Sequence, residues 1–593
     1  MEDKDIRFLA FYGKGGIGKT VVSSNLSAVF AKGGHRPVLF GCSPKANVAE
    51  VYGPSGIEPP TPFLDVYRTE GVTKKNIDNT FITTPTGVGI FECGGPEPGI
   101  GCAGKGIGLA LHEFHEHAEE IPILKEADIF MYDVIGDVVC GGFATPMRQS
   151  DHVEVYMVSS GELMSLYACN NIIRAVNELK VLGVTIGGLI ANFRGVPKED
   201  EIIEEFAKRT NVPILAKIPR DPDTFRQADL KGLSVFEAFP DSEIAKTFKE
   251  LGDRIDKGVA EFEPEPIQKY DDLFDMYLSY QQSQRTSADA GKDLAEAFKA
   301  AIPKEKVKRD KPMRISIYGT GGIGKSTTSS NVSAALVLNG EIVYQIGCDP
   351  KRDSIATLCG ELKPTILDSY REYQARRKRI NKAFMAEHTF EGVDYDGCFF
   401  GSECGGPKPG KGCAGRGVGL ALDNMEKFKH YEDFNPTFIL YDVLGDTVCG
   451  GFATPLKFAP QTYIVSSGEL APMEQAMKII QSVMGAISQN PNMNTGVGGV
   501  ICNMRGVPHE KEIMDEVFGA IDVPVIDYIP RAPEVQESEN LKRTVVQVFP
   551  DSDQAQKYKD LAKKLLENKT QIRELKRPIL DSKEIKEIIQ KYA

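Results

Sequence analysis

The sequence lacks the features that would place it in a membrane, on nucleic acid or outside the cell. No apolar run approaches the 18 or more residues of a membrane span. A formal net charge of −13 leaves no basic surplus to neutralise the phosphates of duplex nucleic acid. The acidic start, MEDKDIRFLAFYGKGG, leads directly into a strand pattern, which is not typical of a signal peptide. We therefore expect a soluble, cytoplasmic protein with neither a nucleic-acid nor a membrane partner.

Cysteine is too sparse for a disulfide scaffold, with 12 in 593 residues. In a cytosolic protein, recurring cysteine patterns indicate metal or catalytic sites instead. The length exceeds that of one ordinary domain and allows two or more large cores.

A tandem duplication organises the chain. Three long motifs occur twice, at nearly constant spacing: YGKGGIGKT at 12–20 and YGTGGIGKS at 318–326, ECGGPEPGIGCAGKGIGLAL at 92–111 and ECGGPKPGKGCAGRGVGLAL at 403–422, YDVIGDVVCGGFATP at 132–146 and YDVLGDTVCGGFATP at 441–455. Within each copy, short β-branched runs alternate with longer amphipathic segments. This pattern predicts an α/β fold in which helices flank a mostly parallel sheet.

The duplication also predicts the domain boundaries. We expect one P-loop ATPase domain over 1–262 and a second over 313–593, the latter ending in a helical tail. Residues 263–312 begin with prolines and acids and end in the basic run KEKVKRDK. They predict a partly helical, charged linker with no chemistry of its own.

Both glycine-rich loops fit the pattern G-x-x-x-x-G-K-[ST] between a strand and a helix. The glycines let backbone N–H groups curl round phosphates, the lysine neutralises β/γ oxygens, and the final hydroxyl meets Mg²⁺. A chance glycine-rich turn is the alternative, which two copies in the same context disfavour. The predicted nucleotide ligands are Gly13, Gly15, Gly16, Gly18, Lys19 and Thr20, with Gly319, Gly321, Gly322, Gly324, Lys325 and Ser326 in the second copy; Thr20 and Ser326 are the predicted Mg²⁺ ligands.

A second acid cluster follows an apolar strand in each copy, in DVIGD and DVLGD. We expect Asp133 and Asp442 near Mg²⁺. Asp137 and Asp446 are expected near the γ-phosphate and its attacking water.

The copies differ at two acids and one lysine. GCDPKRD (347–353) carries two aspartates where GCSPKAN (41–47) has none: Asp349 and Asp353 against Ser43 and Asn47. Lys14 marks the deviant form of the loop, in which this lysine reaches across a dimer to the partner's nucleotide; the second copy has Thr320. If the halves pair with each other, Lys14 completes the second copy's site, so we expect only that site to hydrolyse ATP. Independent drift in two tolerant loops is the alternative.

Each copy has two cysteines in the glycine-rich segments that are most similar between the copies: Cys102 and Cys140 in the first, Cys413 and Cys449 in the second. Glycine-rich turns supply close backbone approach and N–H donors to sulfur, as an iron–sulfur cluster requires. A [4Fe–4S] cluster takes four cysteines, which two copies facing across a pseudo-twofold axis would supply. Buried structural cysteine is the alternative.

The other cysteines are expected to have supporting or structural roles. Cys93 and Cys404 lie near proposed ligands in sequence and are candidates to support them, while Cys42 and Cys348 are expected in the core. HEFHEH (112–117) has no counterpart in the second copy and predicts a solvated helix face instead of a zinc site.

The motifs KGGIGK, GC(D/S)PK, GGPxPGxGCAGxG and DVxGDxVCGGFAxP closely resemble those of the nitrogenase iron protein family. Each copy resembles a whole subunit of that homodimeric, ATP-dependent reductase. The resemblance implies one [4Fe–4S] cluster between two nucleotide-binding halves, with Mg²⁺ and ATP or ADP. It implies ligands at the four cysteines above, switch acids at Asp137, Asp349 and Asp446, and adenine contacts at Asn192 and Asn503.

The resemblance also implies partners. It predicts single-electron transfer to a nitrogenase-like or double-cubane iron–sulfur metalloprotein, with ferredoxin or flavodoxin as electron donor. Two other classes of protein share parts of the pattern. An efflux ATPase of the arsenite-pump type is also tandem with deviant loops, but has no reason to keep both cysteine blocks. A partitioning or cluster-assembly ATPase is the other alternative. An assembly scaffold usually has a C-x-x-C pair near its C-terminus, which this sequence lacks.

Overall fold

The structure is a computed structural model of the 593-residue chain. It describes residues 6–43, 48–49, 52, 57–71, 76–77, 79–95, 103–117, 121–134, 145–149, 152–281, 296–349, 352–377, 379–406, 414–445 and 450–592. The chain divides into two compact units, one drawn mainly from residues up to Gln284 and the other mainly from Arg285 onward.

The first unit is built on an eight-stranded sheet of order β3-β4-β2-β5-β1-β6-β7-β8. Its strands are β1 (Arg7–Tyr12), β2 (Pro37–Cys42), β3 (Phe81–Thr83), β4 (Gly89–Glu92), β5 (Ile129–Val134), β6 (Val153–Ser159), β7 (Thr185–Asn192) and β8 (Ile214–Ile218). All neighbouring strands are parallel except β3, which runs antiparallel to β4.

Helices of the first unit cover the sheet, and apolar side chains fill two clusters between them. The helices are α1 (Lys19–Lys32), α2 (Phe63–Glu70), α3 (Ala103–His117), α4 (Pro122–Glu126), α5 (Thr145–Gln149), α6 (Leu163–Leu179), α7 (Glu199–Thr210), α8 (Pro222–Lys231), α9 (Val235–Ala238), α10 (Glu243–Lys257) and α11 (Tyr270–Gln281). Strands β1, β2 and β5 read as almost continuous apolar runs because both faces of a parallel sheet are covered.

The second unit repeats this topology strand for strand, in the order β11-β12-β10-β13-β9-β14-β15-β16. Its strands are β9 (Met313–Gly319), β10 (Val343–Cys348), β11 (Phe390–Glu391), β12 (Phe399–Glu403), β13 (Phe438–Val443), β14 (Gln461–Ser466), β15 (Val497–Asn503) and β16 (Val525–Ile529). Its helices are α12 (Lys325–Leu338), α13 (Ala356–Cys359), α14 (Ile366–Ala375), α15 (Lys382–Ala386), α16 (Ala414–Phe428), α17 (Gly450–Leu456), α18 (Leu470–Gln489), α19 (Glu510–Gly519), α20 (Pro533–Asn540), α21 (Val545–Val548), α22 (Asp553–Glu567) and α23 (Ser582–Lys591). The predicted tandem α/β fold is confirmed.

The segment predicted as a linker takes part in both cores. Helix α11 packs against α6 and α7, with Leu273 and Tyr277 buried in the first unit. Farther along, Phe298 and Ile302 are buried in the second unit. Helix α23 packs against α18 and α19, the counterparts of α6 and α7, so α11 and α23 occupy equivalent places. The boundaries at 262 and 313 remain predictions.

No helix in the part of the chain that the structure describes combines the length and apolar character needed to cross a bilayer.

Candidate functional site: two phosphate loops and the segments around them

Each glycine-rich loop joins the central strand of its sheet to a long helix. In the first unit, Gly13 has φ of 153°, and a Cβ there would lie 2.2 Å from the carbonyl oxygen of Val158. Gly18 precedes α1 with φ of 97°, and Gly324 precedes α12 with φ of 93°. These left-handed conformations favour glycine, and they leave the first N–H groups of each helix directed at the loop. The loops therefore have the form that a phosphate-binding site requires.

Side chains from β5 and α1 meet beneath the first loop. Thr20 Oγ1 donates a hydrogen bond of 2.5 Å to Asp133 Oδ2, and Asp133 is buried at the end of β5. Lys19 Nζ lies 3.2 Å from the backbone oxygens of both Gly13 and Lys14, which accept its hydrogen bonds. A hydroxyl beside a carboxylate is the donor set that a hard cation such as Mg²⁺ selects.

The second loop is richer in acids. Lys325 Nζ lies 3.1 Å from Asp442 Oδ1 and 3.9 Å from Asp349 Oδ2. All three side chains are buried. The structure thus brings together three predicted site residues of the second copy, beside Ser326 at the start of α12. The first copy has Ser43 at the position of Asp349, so its loop lacks this second carboxylate.

The two asparagines with predicted adenine contacts lie against the loops. Asn192 Nδ2 donates to the carbonyl oxygen of Ile17 at 2.7 Å, and Asn503 Nδ2 donates to that of Ile323 at 3.0 Å. Both side chains therefore brace the loop backbone in this structure. Their contact with a base stays a prediction.

A second side chain that holds the loop backbone is present in each unit and was not predicted from the sequence. Arg194 donates to the carbonyl oxygen of Gly16 at 2.5 Å, and Arg505 donates to that of Gly322 at 2.6 Å. Buried Glu199 and Glu510 hold these arginine segments by accepting backbone N–H groups. The repeated RGVP followed by glutamate was the available signal.

Lys14 points to a carboxylate of its own unit. Its Nζ lies 3.5 Å from Glu162 Oε2, just before α6. The second copy has Thr320 and Glu469 at the equivalent positions, and Glu469 accepts a hydrogen bond from Ser467 at 3.3 Å. The predicted reach of Lys14 toward the other copy's nucleotide stays a prediction.

The predicted cluster ligands Cys102, Cys140, Cys413 and Cys449, and the predicted switch acids Asp137 and Asp446, lie outside the described residues. Helices α3, α16 and α17 begin at the residue that follows Cys102, Cys413 and Cys449, respectively, in the sequence. The role of the four cysteines as cluster ligands stays a prediction.

The remaining eight cysteines are buried. Burial raises the pKa of Cys42 and Cys348 well above the usual thiol value, and the neighbouring Cys93 and Cys404 thiols raise it further. Within the described ranges, no three histidine, cysteine or acidic side chains are grouped to hold a metal ion, the HEFHEH helix included.

Two repeated phosphate loops on mostly parallel sheets, each with a buried aspartate beside it, define a tandem P-loop nucleotide-binding protein. The chain belongs to the NifH/frxC family of 4Fe-4S iron sulfur cluster binding proteins, whose model matches residues 7–283 and again 313–593. The family resemblance read from the sequence is confirmed, as are its cofactors, the [4Fe–4S] cluster and Mg²⁺ with ATP or ADP.

Curated relatives match one half of this chain at a time. Nitrogenase iron protein 2 of Methanobacterium ivanovii is 42% identical over 257 residues, which are 43% of this chain and 90% of that protein. The nitrogenase iron protein of Methanospirillum hungatei is 41% identical over 263 residues, 44% of this chain and 91% of the relative.

Among solved structures, the cell division ATPase MinD of Pyrococcus furiosus is 20% identical, with a TM-score of 0.33. The match covers 42% of this chain and 98% of that one. A ParA family ATPase of Chlorobium tepidum is 16% identical with a TM-score of 0.34, covering 42% and 100%.

Proposed function

We propose that the chain is an ATP-dependent reductase that passes single electrons to a partner iron–sulfur metalloprotein. The observation that carries the proposal is the double family match, in which each half has its own phosphate loop and its own pair of cysteines. A [4Fe–4S] cluster would supply a site that accepts and releases one electron at low potential. Relatives at about 40% identity are nitrogenase iron proteins, which supports a nitrogenase-like acceptor. A double-cubane protein as acceptor, and ferredoxin or flavodoxin as donor, are proposed from the resemblance of the motifs alone.

In this proposal the two halves share one cluster. Each half offers two ligand-type cysteines, whereas a [4Fe–4S] cluster takes four. Pairing of the two halves within one chain would bring the four together. The start of a helix beside Cys102, Cys413 and Cys449 supports their role as thiolate ligands.

A change of the bound nucleotide would affect the cluster ligands through the short segments that carry both a switch acid and a cysteine. Asp137 and Cys140 lie on one segment after β5, and Asp446 and Cys449 on the equivalent segment after β13. At 3.3–3.6 Å per residue, three residues span about 10 Å. Loss of the γ-phosphate would then release an element that also carries a ligand, as in other nucleotide switches.

The two nucleotide sites would have different tasks. The second site has Asp349 near Lys325, and Lys14 would complete it from the first half. The first site has Ser43 at the position of Asp349 and would meet only Thr320. We therefore expect the second site to hydrolyse ATP and the first to hold ATP as a structural or regulatory ligand.

Iron analysis tests the shared cluster. Anaerobically purified protein should hold about four irons per chain, because one [4Fe–4S] cluster is expected. Retention of a full cluster by the Cys102→Ala, Cys140→Ala double variant would contradict sharing. Protein that binds ATP but never iron would favour the transport ATPase instead.

The fate of bound nucleotide tests the division of tasks. After turnover to completion, denaturation should release one unhydrolysed ATP per chain. Release of ADP alone, with no ATP, would contradict the proposal that the first site keeps its ATP unhydrolysed.

A further inference from the structure

A glutamate ends the strand before each cysteine-rich segment and lies against the neighbouring strand. Glu92 is paired in register with Gly41, and Glu403 with Gly347. Both glutamates are buried. A Cβ on either glycine would lie within 2.0 Å of the glutamate Oε2, so the glycine provides the space that the carboxylate fills.

Each carboxylate holds the segment that leaves the neighbouring strand. Glu403 Oε1 accepts a hydrogen bond of 2.9 Å from the backbone N–H of Ile355. Glu92 Oε1 accepts one of the same length from Ala49. In the second unit, this segment carries Asp353 and Asp349, and the Asp349 carboxylate lies 3.9 Å from the phosphate-loop Lys325 Nζ.

The residue after the glutamate starts the segment that leads to a predicted cluster ligand. The N–H of Cys404 donates to the carbonyl oxygen of Gly347 at 2.8 Å. Gly405 follows with φ of 79°, and Cys413 comes eight residues later in the sequence. Glu403 therefore stands between the segment that carries two acids and the segment that carries a cysteine.

The electrostatic surroundings of the two glutamates differ. Burial raises the pKa of Glu403 well above the usual glutamate value, and the carboxylates of Asp353, Asp442 and Asp349 raise it further. In the first copy, Ser43 and Asn47 replace two of those three acids. A cation that neutralised the acids of the second site would thus change the field at Glu403 far more than at Glu92.

We infer that Glu403 is a positioning residue that transmits the state of the second nucleotide site to the cysteine-bearing segment after β12, by holding the N–H of Ile355. Glu92 makes the same backbone contact in the first unit, where only one of the three acids, Asp133, is present. The inference rests on the nucleotide-gated role proposed above.

Hydrogen exchange of the holoprotein tests the link without any electron-transfer assay. In Glu403→Leu, the Ile355 amide should exchange about tenfold faster, since its buried acceptor is lost. Mg²⁺–ATP should change exchange at residues 404–406 in the wild type but not in this variant. Glu403→Gln keeps an oxygen acceptor and should restore both behaviours, which separates the hydrogen bond from a general loss of folding.

Iron removal by an external chelator gives the second readout, with Glu92→Leu as the matched control. The acceleration by Mg²⁺–ATP should fall at least about fivefold in Glu403→Leu and persist in Glu92→Leu, by the same hydrogen-bond magnitude. Unchanged exchange of Ile355 in Glu403→Leu, or equal loss of the ATP response in both variants, would overturn the inference. If Mg²⁺–ATP does not change the rate of iron chelation in the wild type, the proposed gating is contradicted. The hydrogen exchange of residues 404–406 would still decide whether Glu403 links the two segments.

Discussion

The ammonium group of Lys325 lies 3.1 Å from the fully buried carboxylate of Asp442. In the first unit, the equivalent Lys19 places its ammonium 3.2 Å from two backbone oxygens. Removing one partner of a buried ion pair leaves an uncompensated charge, whereas removing one partner of an exposed pair costs little. Loss of Lys325 should therefore affect stability as well as activity.

Lys325→Ala should abolish ATP hydrolysis and lower the free energy of unfolding by about 3–5 kcal/mol, because Asp442 stays buried without its cation. Lys246→Ala, which removes an exposed lysine 2.7 Å from Glu243, is the control and should leave the free energy of unfolding almost unchanged. Urea unfolding of the nucleotide-free protein measures both. Equal destabilisation by the two variants would show that the buried pair is not the cause.

Lys14→Ala should reduce ATP hydrolysis about 10³-fold, by analogy with an arginine finger supplied in trans. ATP held at the first site should remain bound, since Lys19 and Thr20 are intact. The matched control is Thr320→Ala, which alters the equivalent loop position of the second copy and should leave turnover unchanged. A Lys14→Ala protein that hydrolyses ATP at the normal rate would rule out a role of this lysine at the second site.

The phosphate loops were predictable because their chemistry fixes residue type and spacing together. Lys19, Thr20 and Asp133 meet as the motifs suggest, since a parallel sheet brings strand ends to one edge. The equivalence of α11 and α23 was not predictable from motifs. YDDLFDMYLSYQ and SKEIKEIIQK share only apolar spacing, because packing on a neighbouring helix needs shape and not particular side chains.

The Glu92 and Glu403 contacts were hidden for a different reason. A backbone N–H can donate a hydrogen bond whatever side chain its residue carries, so the donors, Ala49 and Ile355, cannot be recognised from the sequence. Only the small residue across the sheet, Gly41 or Gly347, hints at the space that the carboxylate needs.

Gly41→Ala should destabilise the first unit by about 1–3 kcal/mol, because the new Cβ would lie 1.9 Å from Glu92 Oε2. In a Glu92→Ala background the same substitution should cost much less, since the conflicting atoms are gone. A double-mutant cycle of urea midpoints measures this coupling. Gly519→Ala, where a Cβ would meet nothing within 4 Å, is the control and should be close to neutral. Additive effects of Gly41→Ala and Glu92→Ala would contradict the close approach.

The last prediction concerns His430, a buried histidine of the second unit. Its Nε2 shares a hydrogen bond of 2.9 Å with the Tyr344 hydroxyl, which lies 2.7 Å from Ser402 Oγ. The first copy has Val38 and Phe91 at the positions of Tyr344 and Ser402. Burial lowers the pKa of His430 from 6.5 to about 4. The native state therefore requires the neutral ring at pH values where the unfolded chain already binds a proton.

The sign of the pH dependence follows from that difference in proton binding. Above pH 6.5 both states hold a neutral His430, so its contribution is complete; as the pH falls from 6.5 toward 4, protonation of the unfolded state lowers stability by up to about 3 kcal/mol. His430→Gln cannot be protonated, so the difference in unfolding free energy between pH 7.5 and 5.0 should shrink relative to the wild type. Because the sequence has no tryptophan, tyrosine fluorescence during anaerobic urea unfolding reports the transition. An identical pH profile for His430→Gln and the wild type would show that the buried ring is not the group responsible.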